Sequence, residues 1–434
     1  MTVSVLSTQP VVEPFGASER LLRSALFVVT FLLVWITVTP FSDLSSADLL
    51  ETANVGNLIG QLTTLALTAA LAVFVARHQP HLLVKAITPI LILTLAWFAL
   101  SAMLSDHSGV AMRRVVLAAL TIFQAAVFLL LPPGREDFGR LLGTCALIVL
   151  AICYVGIVAA PGLAIHQIAD VREPELAGSW RGLFTHKNGA GAAMALLIFI
   201  GLFVRQAWSR WIGVLIIALA AFFLVMTNAK SPLQLLPVVL MVGWLAARVR
   251  NPLALACLLL SAPTAIGVLT IGSVVFEPIR EFLDGVISDP TFTGRDIIWT
   301  FAIDHTAQRP WFGFGFHAFW GTNELLEGWN NQESWGYKAT DAHNGFLNLS
   351  VMTGVVGLAL ALAWMVVQPV VDYARCRAKD VDPALITLFL QIWLFGLCLA
   401  GFESVFFSGG SAIWFMIVAS ILGLRFHQAF SLRR

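Results

Sequence analysis

The sequence predicts an all-α polytopic membrane protein of about twelve transmembrane helices with one large outer loop. Three observations predict it. The 434 residues are 58% hydrophobic and only 12% charged, about half the ~25% charge of a soluble globular domain. Twelve segments are apolar over roughly the 20 residues that a membrane crossing needs: 22–41, 56–76, 86–104, 113–131, 141–159, 189–205, 211–227, 232–247, 253–274, 345–369, 385–401 and 410–424. Lysine and arginine divide unevenly between the connections, 16 of the 26 falling on one side.

An even number of crossings puts both termini on the same side of the bilayer. The 16 basic residues occupy the N-terminus and the connections after the second, fourth, sixth, eighth, tenth and twelfth segments. Positively charged connections stay inside, so both termini are expected in the cytoplasm, with 160–188 and 276–345 facing outward, into the periplasm if the cell is Gram-negative. The first segment, from Leu22 to Phe41, is too long for a signal-peptide core and follows Glu13 and Glu19, so it is expected to remain as a span. The whole chain, 1–434, reads as one membrane domain, with the loop 276–345 inserted between spans nine and ten.

The formal charge of +1 says nothing about partners, because in a membrane protein the placement of charge matters more than its sum. A nucleic-acid partner is not expected. Cys145, Cys153, Cys257, Cys376 and Cys398 fall in expected helices or a cytoplasmic connection, which argues against a disulfide framework. No His/Cys spacing suggests a zinc site, and neither a metal nor a cofactor is expected. The glycine-rich start of the sixth span, Gly189-Ala190-Gly191-Ala192-Ala193, permits close approach of a neighbouring helix.

The loop 276–345 holds most of the reactive side chains. It carries 14 aromatics, Trp299, Trp311, Trp320, Trp329 and Trp335 among them, with ten carboxylates, four basic residues and three histidines. Its net charge of −6 means that any anion site in it must be local. Thr293-Gly294-Arg295-Asp296 reads as a capping box that opens a helix reaching Arg309, where Pro310 ends it. Ile297, Ile298, Phe301, Ala302 and His305 share a face, so that helix is expected to lie along the membrane surface. In Trp311-Phe312-Gly313-Phe314-Gly315-Phe316-His317 two glycines permit a tight aromatic turn.

Two loop residues could carry chemistry. Arg295 stands in a first helical turn, where the dipole disfavours a cation; it either contacts an anion or snorkels at the surface. His343 precedes the tenth span and either caps it or accepts a proton near neutral pH. His305 and His317 read as packing residues. Arg113, Arg114, Arg181, Lys187 and Lys230 lie at outer helix ends, against the inside bias. Each either anchors to headgroups or joins a site for a diphosphate, which converging cations neutralise.

The run Trp180-Arg181-Gly182-Leu183-Phe184-Thr185-His186-Lys187-Asn188-Gly189, followed by Thr293-Gly294-Arg295-Asp296, Arg309-Pro310-Trp311-Phe312-Gly313 and His343-Asn344 with Gly354 and Gly357, resembles the O-antigen ligase and polysaccharide polymerase superfamily. Within it the chain is most similar to ExoQ-type exopolysaccharide polymerases, over roughly 175–360. The resemblance implies a metal-independent glycosyltransferase. Its donor is a glycan on undecaprenyl diphosphate, and its acceptor is a lipid-linked repeat unit or, for a ligase, lipid A-core. Membrane lipids and a chain-length regulator complete the implied partners. His343 and Arg295 are the implied catalytic pair, with Arg181, Lys187, Asn188, Arg113, Arg114, Lys230 and Asn344 as substrate contacts. In place of the family's Ser-Arg pair entering the eighth span stands Asn228-Ala229-Lys230-Ser231, which keeps a charge but loses the guanidinium fork. A transporter or flippase is the alternative of another class, but ionisable residues here lie at span ends rather than mid-membrane.

Overall fold

The computed structural model describes residues 16–36, 40–45, 58–78, 80–171, 173–322, 325, 339–379 and 381–429. Among these the regular structure is helical, with one isolated bridge between Ile165 and Trp180. Twelve long helices overlie the twelve expected segments: Ala17–Trp35, Leu58–His78, Pro89–Met103, Ser108–Leu130, Arg135–Ala159, Lys187–Ala207, Arg210–Met226, Lys230–Ala246, Pro252–Val275, Gly345–Ala378, Pro383–Leu399 and Ala412–Ala429. Residues 37–39 and 56–57 of the first two segments, and Trp329 and Trp335 of the loop, lie outside the described residues. Six of the helices are long and apolar enough to cross a membrane. Five others are apolar but shorter, the last of them counted over Ala412–Gln428, at most about 26 Å against the ~30 Å hydrocarbon core. The first helix carries Glu19, Arg20 and Arg23 in its first two turns. Length and composition thus support a multi-pass membrane protein and leave the count of twelve crossings an expectation.

The core forms where helices are apolar on every side. Pro383–Leu399 is buried from Leu388 to Leu399, and it packs against Lys187–Ala207, Lys230–Ala246 and Ala412–Ala429. Gly191 accounts for one close approach in this core: a Cβ there would stand 2.6 Å from Ala229 Cβ. Gly189, two residues earlier, faces open space.

The helix Gly345–Ala378 is interrupted twice, and each interruption has a partner. At Gly354 the backbone turns to φ 69° and ψ 179°, which frees carbonyls that an apolar environment would penalise. The aromatic turn fills the gap. Phe314 N donates to Val351 O at 2.9 Å, Gly315 N to Met352 O at 3.0 Å, and Val355 N to Pro310 O at 2.8 Å. From Pro89–Met103, Trp97 Nε1 donates to Thr353 O at 3.0 Å and Ser101 Oγ to Met352 O at 3.1 Å. A Cβ on Gly354 would overlap the Trp311 carbonyl, and one on Gly313 would overlap the backbone at Met352. The second interruption is the π segment Ala363–Val367. Pro369 has no N–H to offer the carbonyl four residues back, and that carbonyl, Met365 O, accepts from Trp393 Nε1 instead, at 2.7 Å.

Two expectations for the loop are corrected. Thr293 and Asp296 do not form a capping box. The helix Arg295–Gln308 is preceded by Gly294 in the left-handed region without a side-chain cap. Asp289 organises the approach: its carboxylate accepts from Thr291 N at 3.1 Å and Thr293 N at 2.8 Å, while Thr291 Oγ1 accepts from Gly294 N at 3.1 Å. The buried face is also shifted at one edge: Phe301 and Ala302 of the expected face are buried, Trp299 joins them, and Ile297 is exposed. With these residues the helix packs on Gly345–Ala378 and Pro252–Val275.

The break at Gly354 makes a stability prediction. Gly354→Ala combines a left-handed backbone with a backbone clash, so a loss of at least about 2–3 kcal/mol is expected. Gly189→Ala, opening onto free space, should leave stability within about 0.5 kcal/mol. Thermal unfolding of the detergent-solubilised protein measures both; equal melting temperatures for the two variants would refute the packing described.

Candidate active site

The end of the bundle that carries His343 is organised by the short connection after Pro383–Leu399. Asn344 ties the tenth-span entrance to it. Its Oδ1 accepts from Phe346 N at 3.1 Å and Leu347 N at 3.2 Å, capping the helix, while its Nδ2 donates to Gly401 O at 3.1 Å. Gly345 N adds a bond to Ala400 O at 2.7 Å. Asn344 is fully buried and its amide is spent on backbone, so it holds the site and is not placed to meet a substrate. The cap is Asn344 rather than His343.

His343 is set just outside that cap. Asp341 Oδ1 accepts from its backbone N at 2.7 Å, and the residue takes φ 45°, a left-handed conformation that costs roughly 1 kcal/mol or more for a non-glycine residue. The turn points the imidazole at Glu403. His343 Nδ1 is 3.6 Å from Glu403 Oε2 and 3.8 Å from Asp341 Oδ1, just beyond hydrogen-bond length, and it has no hydrogen-bond partner among the described residues.

Glu403 is where the predicted residues meet. Its Oε1 accepts from Arg295 Nη2 at 3.0 Å and from Asn188 Nδ2 at 2.9 Å. Arg295 Nη1 also donates to the Phe402 carbonyl. Three separate segments, the starts of Lys187–Ala207 and Arg295–Gln308 and the approach to Gly345–Ala378, therefore converge on one carboxylate. Sequence reasoning did not single out Glu403. The available signal was its isolation, as the sole carboxylate between Pro383 and Ala429.

The electrostatics follow from that geometry. Burial alone would raise the Glu403 carboxyl, but His343 and the Arg295 guanidinium outweigh it and hold the group down at about 2. Burial would lower His343; the Glu403 carboxylate and the Asp341 charge outweigh that, against opposition from Arg295, and raise it above its ordinary value. The pair favours a protonated imidazole beside an ionised carboxylate.

The segment before Lys187 fixes Asn188. His166 Nδ1 is 2.8 Å from Asp170 Oδ2, and its Nε2 accepts from Lys187 N at 3.3 Å. His186 Nε2 is 3.0 Å from Glu173 Oε2, and its Nδ1 accepts from Asn188 N at 3.1 Å. The hydrogen bond from His186 holds the Glu173 carboxyl below the usual carboxylate range, against its burial. Two histidine–carboxylate pairs thus cap the helix that presents Asn188.

The remaining predicted cations are dispersed. Arg181 is fully buried and donates to Ser42 O at 2.7 Å and Phe184 O at 3.3 Å; it braces the outer segment and is not free to grip a diphosphate. Lys187 reaches Asn228 O at 3.3 Å, and Lys230 is exposed beside it. These two lysines lie within electrostatic reach of each other at the start of the helix that presents Asn188. Arg113 and Arg114 stand elsewhere, exposed at the start of Ser108–Leu130, with Arg114 Nη1 donating to His317 O at 2.8 Å. His305 stacks on Phe301 at 4.0 Å between ring centroids, a packing role.

Residues 176–362 match the family model described as O-Antigen ligase. The match takes in Arg181, Lys187, Asn188, Lys230, Arg295, His343 and Asn344, and ends before Glu403. The chain is also similar to the exopolysaccharide production protein ExoQ of Rhizobium meliloti (strain 1021), 28% identical over 220 residues. That alignment covers 49% of this chain and 51% of the relative, so the chain matches about half the length of the protein it resembles. Over residues 176–362 the chain is thus similar to the O-antigen ligase family, and over about half of its length to ExoQ.

Proposed function

We propose that the chain is a membrane glycosyltransferase that joins undecaprenyl-diphosphate-linked repeat units into exopolysaccharide at the outer face of the inner membrane. The convergence of His343, Arg295 and Asn188 on Glu403 carries this reading. Glu403 faces Nδ1 of His343 and favours a proton there, which leaves Nε2 to take the proton of an acceptor hydroxyl. As that oxygen bonds to the donor's anomeric carbon, the bond from the carbon to the diphosphate oxygen breaks, and its electron pair leaves on the diphosphate. Attack from the face opposite the leaving group inverts the anomeric configuration. No metal ion enters this reading. The diphosphate is already a good leaving group, and fixed cations, Arg295 with Lys187 and Lys230, stabilise the charge it gains.

The ExoQ likeness favours a polymerase, whose acceptor is another lipid-linked repeat, over a ligase that uses lipid A-core. A chain-length regulator is a natural partner of such a polymerase. Transport is disfavoured because the titratable cluster sits at the outer end of the bundle rather than within it.

The test uses cells lacking the chromosomal gene, complemented at matched membrane levels. His343→Ala should lower polymer output by about 10²–10⁴-fold, and Arg295→Ala by about 10²–10³-fold. Lipid-linked single repeats should accumulate on the outer face. Normal output from His343→Ala would remove the base; accumulation on the inner face alone would make the chain a flippase.

The pH dependence follows from the same pair. A base must be unprotonated, and His343 is raised above 6.5, so the acid limb of the rate should be centred above pH 6.5. Glu403→Gln removes the charge that raises it and should move that limb to lower pH, with a reduced plateau because Arg295 loses its partner. An unmoved limb, measured with purified enzyme and lipid-linked substrate, would separate Glu403 from the base.

A further inference from the structure

The second set of cations lies at the mouth of a groove that the His343 site does not use. The groove encloses about 1020 Å³ between Ala17–Trp35, Leu58–His78 and Ser108–Leu130, at the upper end of the volumes that small-ligand clefts reach. Its walls are apolar, with Val28, Leu32, Leu67, Leu117 and Phe415 among them. The lining runs from Arg114 to Gln124 along one helix, about 15 Å at 1.5 Å per residue, which is half the hydrocarbon core. In the expected orientation it is therefore a slot of outer-leaflet depth.

The mouth is cationic and adjoins the active site. Arg114 and His317 line it, with Arg113 exposed next to Arg114. Burial, helped by the charge of Arg114, holds His317 down at about 4, so the arginines supply the positive charge. Phe407 and Ser408 line the same mouth and follow Glu403 by four and five residues. His317 also lies within electrostatic reach of Asp341, whose carboxylate holds the His343 backbone.

Resting on the transferase reading, we propose that this groove binds the lipid anchor of the acceptor, its prenyl chain in the slot and its diphosphate at Arg114 and Arg113. The chemistry of transfer separates the two substrates. The donor's diphosphate is bonded to the reacting carbon and must lie beside Arg295 and His343. The acceptor's is separated from its attacking hydroxyl by the sugars of the repeat unit, so it belongs at a second cationic mouth some distance away. An anion-headed, single-chain lipid complements a narrow apolar slot topped by two arginines. Its head would rest on the loop that also carries Glu403, which places its glycan on the His343 side.

The experiment uses the full-length protein in nanodiscs and a diazirine-tagged prenyl diphosphate as photoprobe, with cross-linked peptides mapped by mass spectrometry. Label is expected on peptides containing 28–36, 60–67 and 114–124, competed by lipid-linked repeat unit and not by phosphatidylglycerol. Leu117→Trp, which fills the slot, and Arg114→Ala, which removes the head contact, should each raise the half-saturating concentration of lipid-linked acceptor about tenfold or more. Half-saturation by donor should move by less than about twofold. Label outside these peptides, competition by phosphatidylglycerol alone, or a shift confined to the donor would overturn the proposal. Competed labelling of the groove in a chain that transfers no sugar would instead sink the transferase reading and keep the groove as a prenyl-phosphate site.

Discussion

One ionised carboxylate sets the geometry around His343. Glu403 lies largely out of water, where an unpaired charge would cost several kcal/mol, and its position is tolerable only because Arg295 and Asn188 donate to it and His343 lies alongside. The dependence is mutual. Without Glu403, Arg295 would keep its contact with the Phe402 carbonyl but lose its countercharge, and the side-chain amide of Asn188 would lose its hydrogen bond. Charge pairing thus locates three segments that are far apart in sequence, at a place where apolar packing, being non-directional, could not fix side-chain angles.

The bundle beneath supplies rigidity to that arrangement through satisfied interruptions. The break at Gly354 is closed by the Pro310–Gly315 turn and by Trp97 and Ser101 of a neighbouring helix, and the π segment by Trp393. In each case an exposed carbonyl inside an apolar bundle has been given a specific donor. The glycines of the family motif are therefore positional requirements. Gly354 receives a backbone that Gly313 delivers, and neither could carry a Cβ.

Hydrophobic length and the placement of basic residues made the helices legible, because both act locally along the chain. The twelve apolar segments coincide with helices for this reason. Arg295, His343 and Asn188 were legible as candidates, since each stands at a helix end next to motif residues. What the sequence could not reveal is which side chains spend their hydrogen bonds on backbone. Arg181 and Asn344 look like ligand contacts in the motif, yet the fold uses both internally. Glu403 escaped notice for the converse reason: its role depends on partners 60 to 215 residues away. The misread capping box has a related cause. Thr293 and Asp296 have the right spacing, but Asp289 and Thr291, further upstream, already satisfy the turn and leave no free amide for them.

Because the Pro310–Gly315 turn is hydrogen-bonded into the broken tenth helix, the outer loop is anchored in the bundle at its middle as well as at its two ends. Arg295–Gln308 is further packed on two spans through Trp299. A loop pinned in this way cannot lift as a single flap. Access to His343 then depends on the gaps between fixed elements rather than on the opening of a lid.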